Sequence, residues 1–106
     1  VKVYNKLVRD KIPDIIKESG KHFNISILND DDYIKSINLK LQEELDEYYN
    51  SDSVEELADL VEVVYAILEH KGISIEEFEK IRNGKKHERG GFSKKILLIN
   101  VDDRDE

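Results

Sequence analysis

The chain predicts a mainly α fold, a helical bundle with a minor extended or β component at its ends. Three observations predict it. From about Asp31 to Tyr49, apolar residues recur at three- and four-residue steps (Ile34, Ile37, Leu41, Leu45, Tyr48), the mark of an amphipathic helix. A second apolar-periodic segment follows after the polar "NSDS", opened by Ser53 with Glu56 three residues on and running to Gly72. The apolar stretches outside these helices are short, alternating near the front and a continuous run near the end, without helical spacing.

Taken in order, "VKVY" alternates and reads as an edge strand or an extended arm. "RDKIPDIIKESG" reads as a short helix with Asp10 as its cap, Pro13 tolerated in the first turn and Gly20 at the exit. "HFNISIL" alternates Phe23, Ile25 and Ile27, which predicts a strand. After the two long helices, "SIEEFEKIRNGKKHERGG" begins with Ser74 and Glu77 in capping-box spacing. It continues as a helix through Ile81, where Asn83 and Gly84 interrupt or end it. "RGGF" is a turn, and the apolar run "KKILLINV" reads as a strand or extended packing segment.

Composition bounds the rest. The 106 residues, 39% hydrophobic and 39% charged, suffice for one domain with one modest core, expected over residues 1–101 and followed by an acidic tail at 102–106. Cysteine is absent, so neither disulfides nor thiolate-bound zinc are available, and the three histidines form no H-E-x-x-H pattern. Any metal must be held by oxygen. The net charge of −7 argues against nucleic-acid binding, which needs a basic surface, although the tail "DDRDE" carries −3 of it and leaves −4. No apolar run approaches bilayer length and no secretory leader is evident in a chain that opens at Val1, which sets the expectation of a cytoplasmic protein without membrane contact.

The second long helix poses a chemical problem. At about 100° per residue, Glu56 falls inside the arc of Leu60, Val63, Val64, Ile67 and Leu68, and Asp59 borders it one turn on. Two neighbouring carboxylates there repel each other and lose hydration, so a cation should meet them. On the first long helix Glu44 lies about 20° from Ile37, on the shoulder of the apolar stripe, with Glu47 one turn further and Glu43 pointing outward. The short connection favours antiparallel packing, which would set four carboxylates in one pocket. Hard oxygen donors without histidine or cysteine suit magnesium or manganese, which keep positions open for water and phosphate oxygens. The competing reading is that acids at this spacing form a solvated face and that Glu56 serves only as the capping-box glutamate of Ser53. Capping does not explain Asp59. The apolar positions of the second helix also span more than half its circumference, which suggests burial on two sides, the second against another copy of the chain.

"EELDE" followed by "ELAD" resembles the E-E-x-x-E and E-x-x-D pattern of the MazG-like all-α nucleoside triphosphate pyrophosphohydrolases, a superfamily that includes the phosphoribosyl-ATP pyrophosphohydrolases. "YNKLVRDKIPDII" at the front and "K" then "RGGF" near the end resemble its small house-cleaning subgroup, so the likeness covers nearly the whole chain. One departure is that only eight residues, Tyr48 to Glu55, separate the two acidic motifs, which is short for the superfamily. The resemblance implies a bundle that binds Mg2+ and cleaves a nucleoside triphosphate between its α and β phosphates. The oxygen donors would also suit Mn2+, and the wide apolar face of the second helix sets the expectation of a homodimer or homotetramer. By position the resemblance implies metal ligands Glu44, Glu47, Glu56 and Asp59. It raises Lys6, Arg9, Lys85 and Arg89 above the other basic residues as phosphate contacts. Glu47 is the candidate for holding the attacking water, with Glu43 as substitute. Two alternatives stand beside this reading: a phosphoribosyl-ATP pyrophosphohydrolase of histidine synthesis, against which "KLVRDKIP" speaks, and a non-catalytic helical module that binds a nucleotide or protein.

Overall fold

The computed structural model describes residues 1–102. Four helices run in chain order: α1 (Ile12–Glu18), α2 (Asp30–Ser51), α3 (Val54–His70) and α4 (Ile75–Arg89). The chain divides into two compact units, Val1–Ile73 and the segment from Ser74 onward. Apart from Asp102, the acidic tail lies outside the described residues.

The first unit is built on the α2–α3 hairpin. Asn29 caps α2 by accepting from the Asp32 amide at 2.8 Å, and Asp30, Asp31 and Asp32 in the first turn complement the helix dipole. The helix runs two residues into the "NSDS" turn predicted from sequence and reverses only at Asp52. That residue takes a left-handed conformation (φ 53°) and donates its amide to the Tyr48 carbonyl at 2.7 Å. Ser53 then caps α3, accepting from the Glu56 amide at 3.4 Å. α3 ends at Gly72 (φ 72°), where the Ile73 amide returns to the Leu68 carbonyl at 2.9 Å and satisfies an end carbonyl.

The two helices are antiparallel, since Tyr33 near the start of α2 meets His70 at the end of α3, with ring centroids 5.3 Å apart. Ile37 from α2 and Val63 and Leu68 from α3 are the buried apolar residues between them. Glu44 is buried alongside, only 7% exposed, and is the sole buried charged residue among those described.

The predicted β component is not there: the described residues contain no strand. "VKVY", "HFNISIL" and "KKILLINV" are all without regular structure. Alternation makes a segment compatible with a sheet, but a strand exists only when a second one satisfies its amides and carbonyls. Ile25, Ile27 and the run Ile96, Leu97, Leu98 and Ile99 are instead exposed. Two smaller expectations also fail. The cap residue of α1 is Lys11, without a side-chain cap bond, and not Asp10. In the second unit, α4 does not stop near Asn83 and Gly84 but continues to Arg89. A helical glycine costs only ~1 kcal/mol relative to alanine, and Arg82, Lys85 and Lys86 close by are good helix formers. Further support comes from the Ser74 cap on the Glu77 amide at 3.1 Å, the Arg82–Glu79 ion pair at 2.6 Å and basic residues in the last turn. Gly90 (φ 86°) ends it, donating to the Lys86 carbonyl at 2.7 Å.

Candidate metal centre and its groove

The α2–α3 pairing brings the acids of the two helices together, as antiparallel packing predicts. Carboxylate oxygens of Glu44, Glu56 and Asp59 all lie within 4.8 Å of one another. Glu44 and Glu56 each carry an Oε2 that is buried and has no hydrogen-bond partner. A buried acceptor with no donor is costly, and few native groups are left so. These three oxygen donors could hold a divalent cation, and hard ions are the ones such a set suits.

The fourth expected ligand, Glu47, stands outside that tight trio, on an exposed position of α2. It still acts on the trio electrostatically. Burial raises the Glu44 carboxyl above its ordinary value, and the neighbouring Glu47 raises it further by charge and hydrogen bonding. Glu56 is raised in the same way, first by loss of hydration, then by Glu47, Asp59 and Glu44. Both groups therefore hold their protons more tightly than a free glutamate when no cation is near.

Cations meet the cluster from two directions. The irregular N-terminal arm brings Lys6 Nζ to Glu43 Oε1 at 2.7 Å and an Arg9 guanidinium nitrogen to Asp59 Oδ1 at 2.6 Å. Within α2, Lys40 lies 3.4 Å from Glu43 and 3.5 Å from Glu44. The Glu43 carboxyl gains from burial a pull upward, which the hydrogen bonds and charges of Lys6 and Lys40 outweigh, leaving it below its ordinary value. Lys6 is correspondingly raised by its hydrogen bond to Glu43. No cation pairs with Glu56 among the described residues.

Lys6 and Arg9 thus stand beside the cluster, while Lys85 and Arg89 belong to α4 in the second unit. Sequence reasoning overlooked Lys40, although its position four residues before Glu44 on one helix face was a usable signal.

Beside the cluster runs a groove of about 780 Å³, with Glu44 and Asp59 in its wall. Leu7, Val8, Ile37, Val63 and Ala66 supply apolar surface, and the Tyr33–His70 pair lies further along. The volume is in the range of small-molecule sites, and the lining is more strongly charged than theirs, which suits a charged ligand. The groove was not foreseen, because Tyr33 and His70 are 37 residues apart and share no motif.

No family model matches the chain, and no solved structure matches it. It is similar to an uncharacterized protein of Mycolicibacterium smegmatis, 42% identical over 48 residues that make up 45% of this chain and 49% of that protein. The chain thus matches about half of that protein's length.

Proposed function

We propose that the protein is a magnesium-dependent nucleoside triphosphate pyrophosphohydrolase that cleaves between the α and β phosphates and releases a monophosphate and pyrophosphate. The observation that carries this reading is the pair of buried, partnerless carboxylate oxygens on Glu44 and Glu56, within 4.8 Å of an Asp59 oxygen. An acidic face meant only for solvent would leave its oxygens in water. Manganese would fit the same donors.

Glu44, Glu56 and Asp59 hold the ion in this proposal. Bound magnesium supplies charge neutralisation for the phosphate oxygens. Glu47, exposed beside Glu44 and Glu56, takes the proton of the attacking water. Glu43 is the weaker candidate for that role, since its carboxyl is held below the ordinary range by Lys6 and Lys40. Lys6 and Arg9 meet the outer phosphates from the N-terminal arm. No covalent nucleophile is required. House-cleaning of non-standard nucleotides is the role that the resemblance suggests.

Self-association belongs to the same proposal. Val54, Leu57 and Val61 leave an exposed apolar strip on α3, and a hairpin with so few buried apolar residues gains much by covering it with a second copy.

The test is a pyrophosphate-release screen across ordinary, deoxy and damaged nucleoside triphosphates and phosphoribosyl-ATP, with magnesium and with chelator. Metal-dependent pyrophosphate release from a nucleoside triphosphate supports the reading. Release from phosphoribosyl-ATP alone selects the histidine-synthesis alternative, and no turnover at all selects a binding module.

A further inference from the structure

The groove continues past the carboxylate cluster to a wall that phosphate chemistry does not use. On α3, Glu69 lies ten residues beyond Asp59, about 15 Å along the axis at the helical rise. This is comparable with the span from the amino group of a nucleobase to the phosphates of an extended nucleotide. Tyr33 and His70 stand at this far end in an edge-to-face arrangement, with interplanar angle 61°. Both residues line the groove, so a flat ligand there would meet aromatic surface.

Three carboxylates of the groove lining belong to this end: Glu69, next to His70 in sequence, Asp30, one turn before Tyr33, and Asp10. The charges of Glu69 and Asp10 reach the Tyr33 hydroxyl, which burial and these two carboxylates together push above its ordinary range. The cationic residues of the lining, Arg9 and Lys40, are instead engaged with Asp59, Glu43 and Glu44 at the phosphate end. A ring that presents hydrogen-bond donors is therefore matched by carboxylates. A ring that presents a carbonyl in the same place meets acceptor against acceptor.

We infer that the Tyr33–His70 end of the groove is a nucleobase subsite that selects amino-bearing bases over thymine and uracil, with Glu69 accepting the exocyclic amine. The inference rests on the proposed nucleotide chemistry for its orientation, phosphates at Glu44 and Asp59 and base at Tyr33. Tyr33 supplies the stacking surface, and Glu69 reads the edge. A carboxylate distinguishes an amine from a carbonyl more sharply than a neutral group, because it can only accept.

The experiment measures binding separately from turnover. dCTP, dATP, dGTP and dTTP are titrated into the full chain with calcium in place of magnesium, by calorimetry, and pyrophosphate release is followed in parallel with magnesium. The three amino-bearing nucleotides should bind roughly tenfold more tightly than dTTP, the scale of one hydrogen bond to a charged group. Glu69→Gln, at an exposed position that leaves the fold intact, should erase most of that preference, since an amide can donate to a carbonyl as well. Tyr33→Phe should keep the preference, and Tyr33→Leu should weaken all four nucleotides together. Equal binding of dTTP and dCTP, or an unchanged rank order in Glu69→Gln, overturns the subsite. Base-selective binding without pyrophosphate release keeps the subsite and overturns the hydrolase reading alone, whereas absence of any nucleotide binding overturns both.

Discussion

The Arg9 guanidinium stands 2.6 Å from Asp59 Oδ1, across fifty residues of sequence, so a side chain of the N-terminal arm already pairs with one member of the carboxylate trio. A cation bound by Glu44, Glu56 and Asp59 would have to compete with that guanidinium. Arg9→Gln is therefore expected to tighten Mn2+ binding by the nucleotide-free protein about two- to fivefold, the scale of an exposed ion pair. The same variant should weaken nucleotide binding once metal is present, because Arg9 is then free to meet phosphate. Calorimetric titrations in the two conditions check the opposite signs. If both affinities fall, Arg9 supports the site and does not compete for it.

Asp59→Asn separates a metal ligand from a surface acid. Its loss removes one exposed ion pair, so metal-free stability should change by less than about 1 kcal/mol. Hydrolysis should be abolished. Magnesium should raise the melting temperature of the parent protein clearly and that of the variant hardly at all, since a ligand stabilises only the folded state that binds it. Thermal melts with magnesium and with chelator, beside a pyrophosphate assay, give the answer. Equal magnesium shifts with retained activity would remove Asp59 from the centre.

Glu56 makes a sharper case for repulsion than Asp59, because it has no cationic partner and its Oε2 is buried. Glu56→Gln should make the metal-free protein as stable as the parent or more so, while abolishing the magnesium-dependent gain. Denaturant unfolding with chelator measures the first effect. A marked loss of metal-free stability would show that Glu56 serves the hairpin rather than a cation.

The pH dependence of the metal-free protein follows from the same groups. Glu44 and Glu56 are both raised in the folded state. Between the ordinary carboxylate value and their raised values the folded chain binds more protons than the unfolded one, so stability falls as pH rises through that window. The melting temperature in chelator should therefore increase as pH is lowered through that window toward the ordinary carboxylate value. Glu43 is lowered, so its contribution is still intact there and declines only as pH falls below the ordinary carboxylate value. Lys6, raised, loses its contribution only in strongly alkaline solution. Glu44→Gln should flatten the slope, and a slope of the same size in that variant would place its origin elsewhere.

Self-association through α3 can be read directly. Light scattering at micromolar concentration should show a dimer or tetramer. Val61→Glu, on the exposed strip, should shift it toward monomer with its helicity kept. A parent protein that is monomeric and fully active would exclude a need for the second copy.

Local physics made α2 and α3 legible from the sequence. Their three- and four-residue apolar steps, the Ser53 cap and the Gly72 exit act within a turn or two of the chain, and the structure has them where the spacing put them to within a few residues. The presence of Glu44, Glu56 and Asp59 at one place also followed, because a short connection turns the two helices antiparallel and sets their inward residues near the turn against each other. The strands did not follow. Alternation in "HFNISIL" describes one half of a ladder, and whether a second half exists is a non-local fact that only the folded chain decides. The same limit applies at the site. Helical phase placed Glu56 against apolar surface, but the arrival of Arg9 at Asp59 and the meeting of Tyr33 with His70 depend on how an irregular arm and two helix ends come together in space. Pairings between residues with no shared period are set by tertiary packing, and no pattern along the chain encodes them.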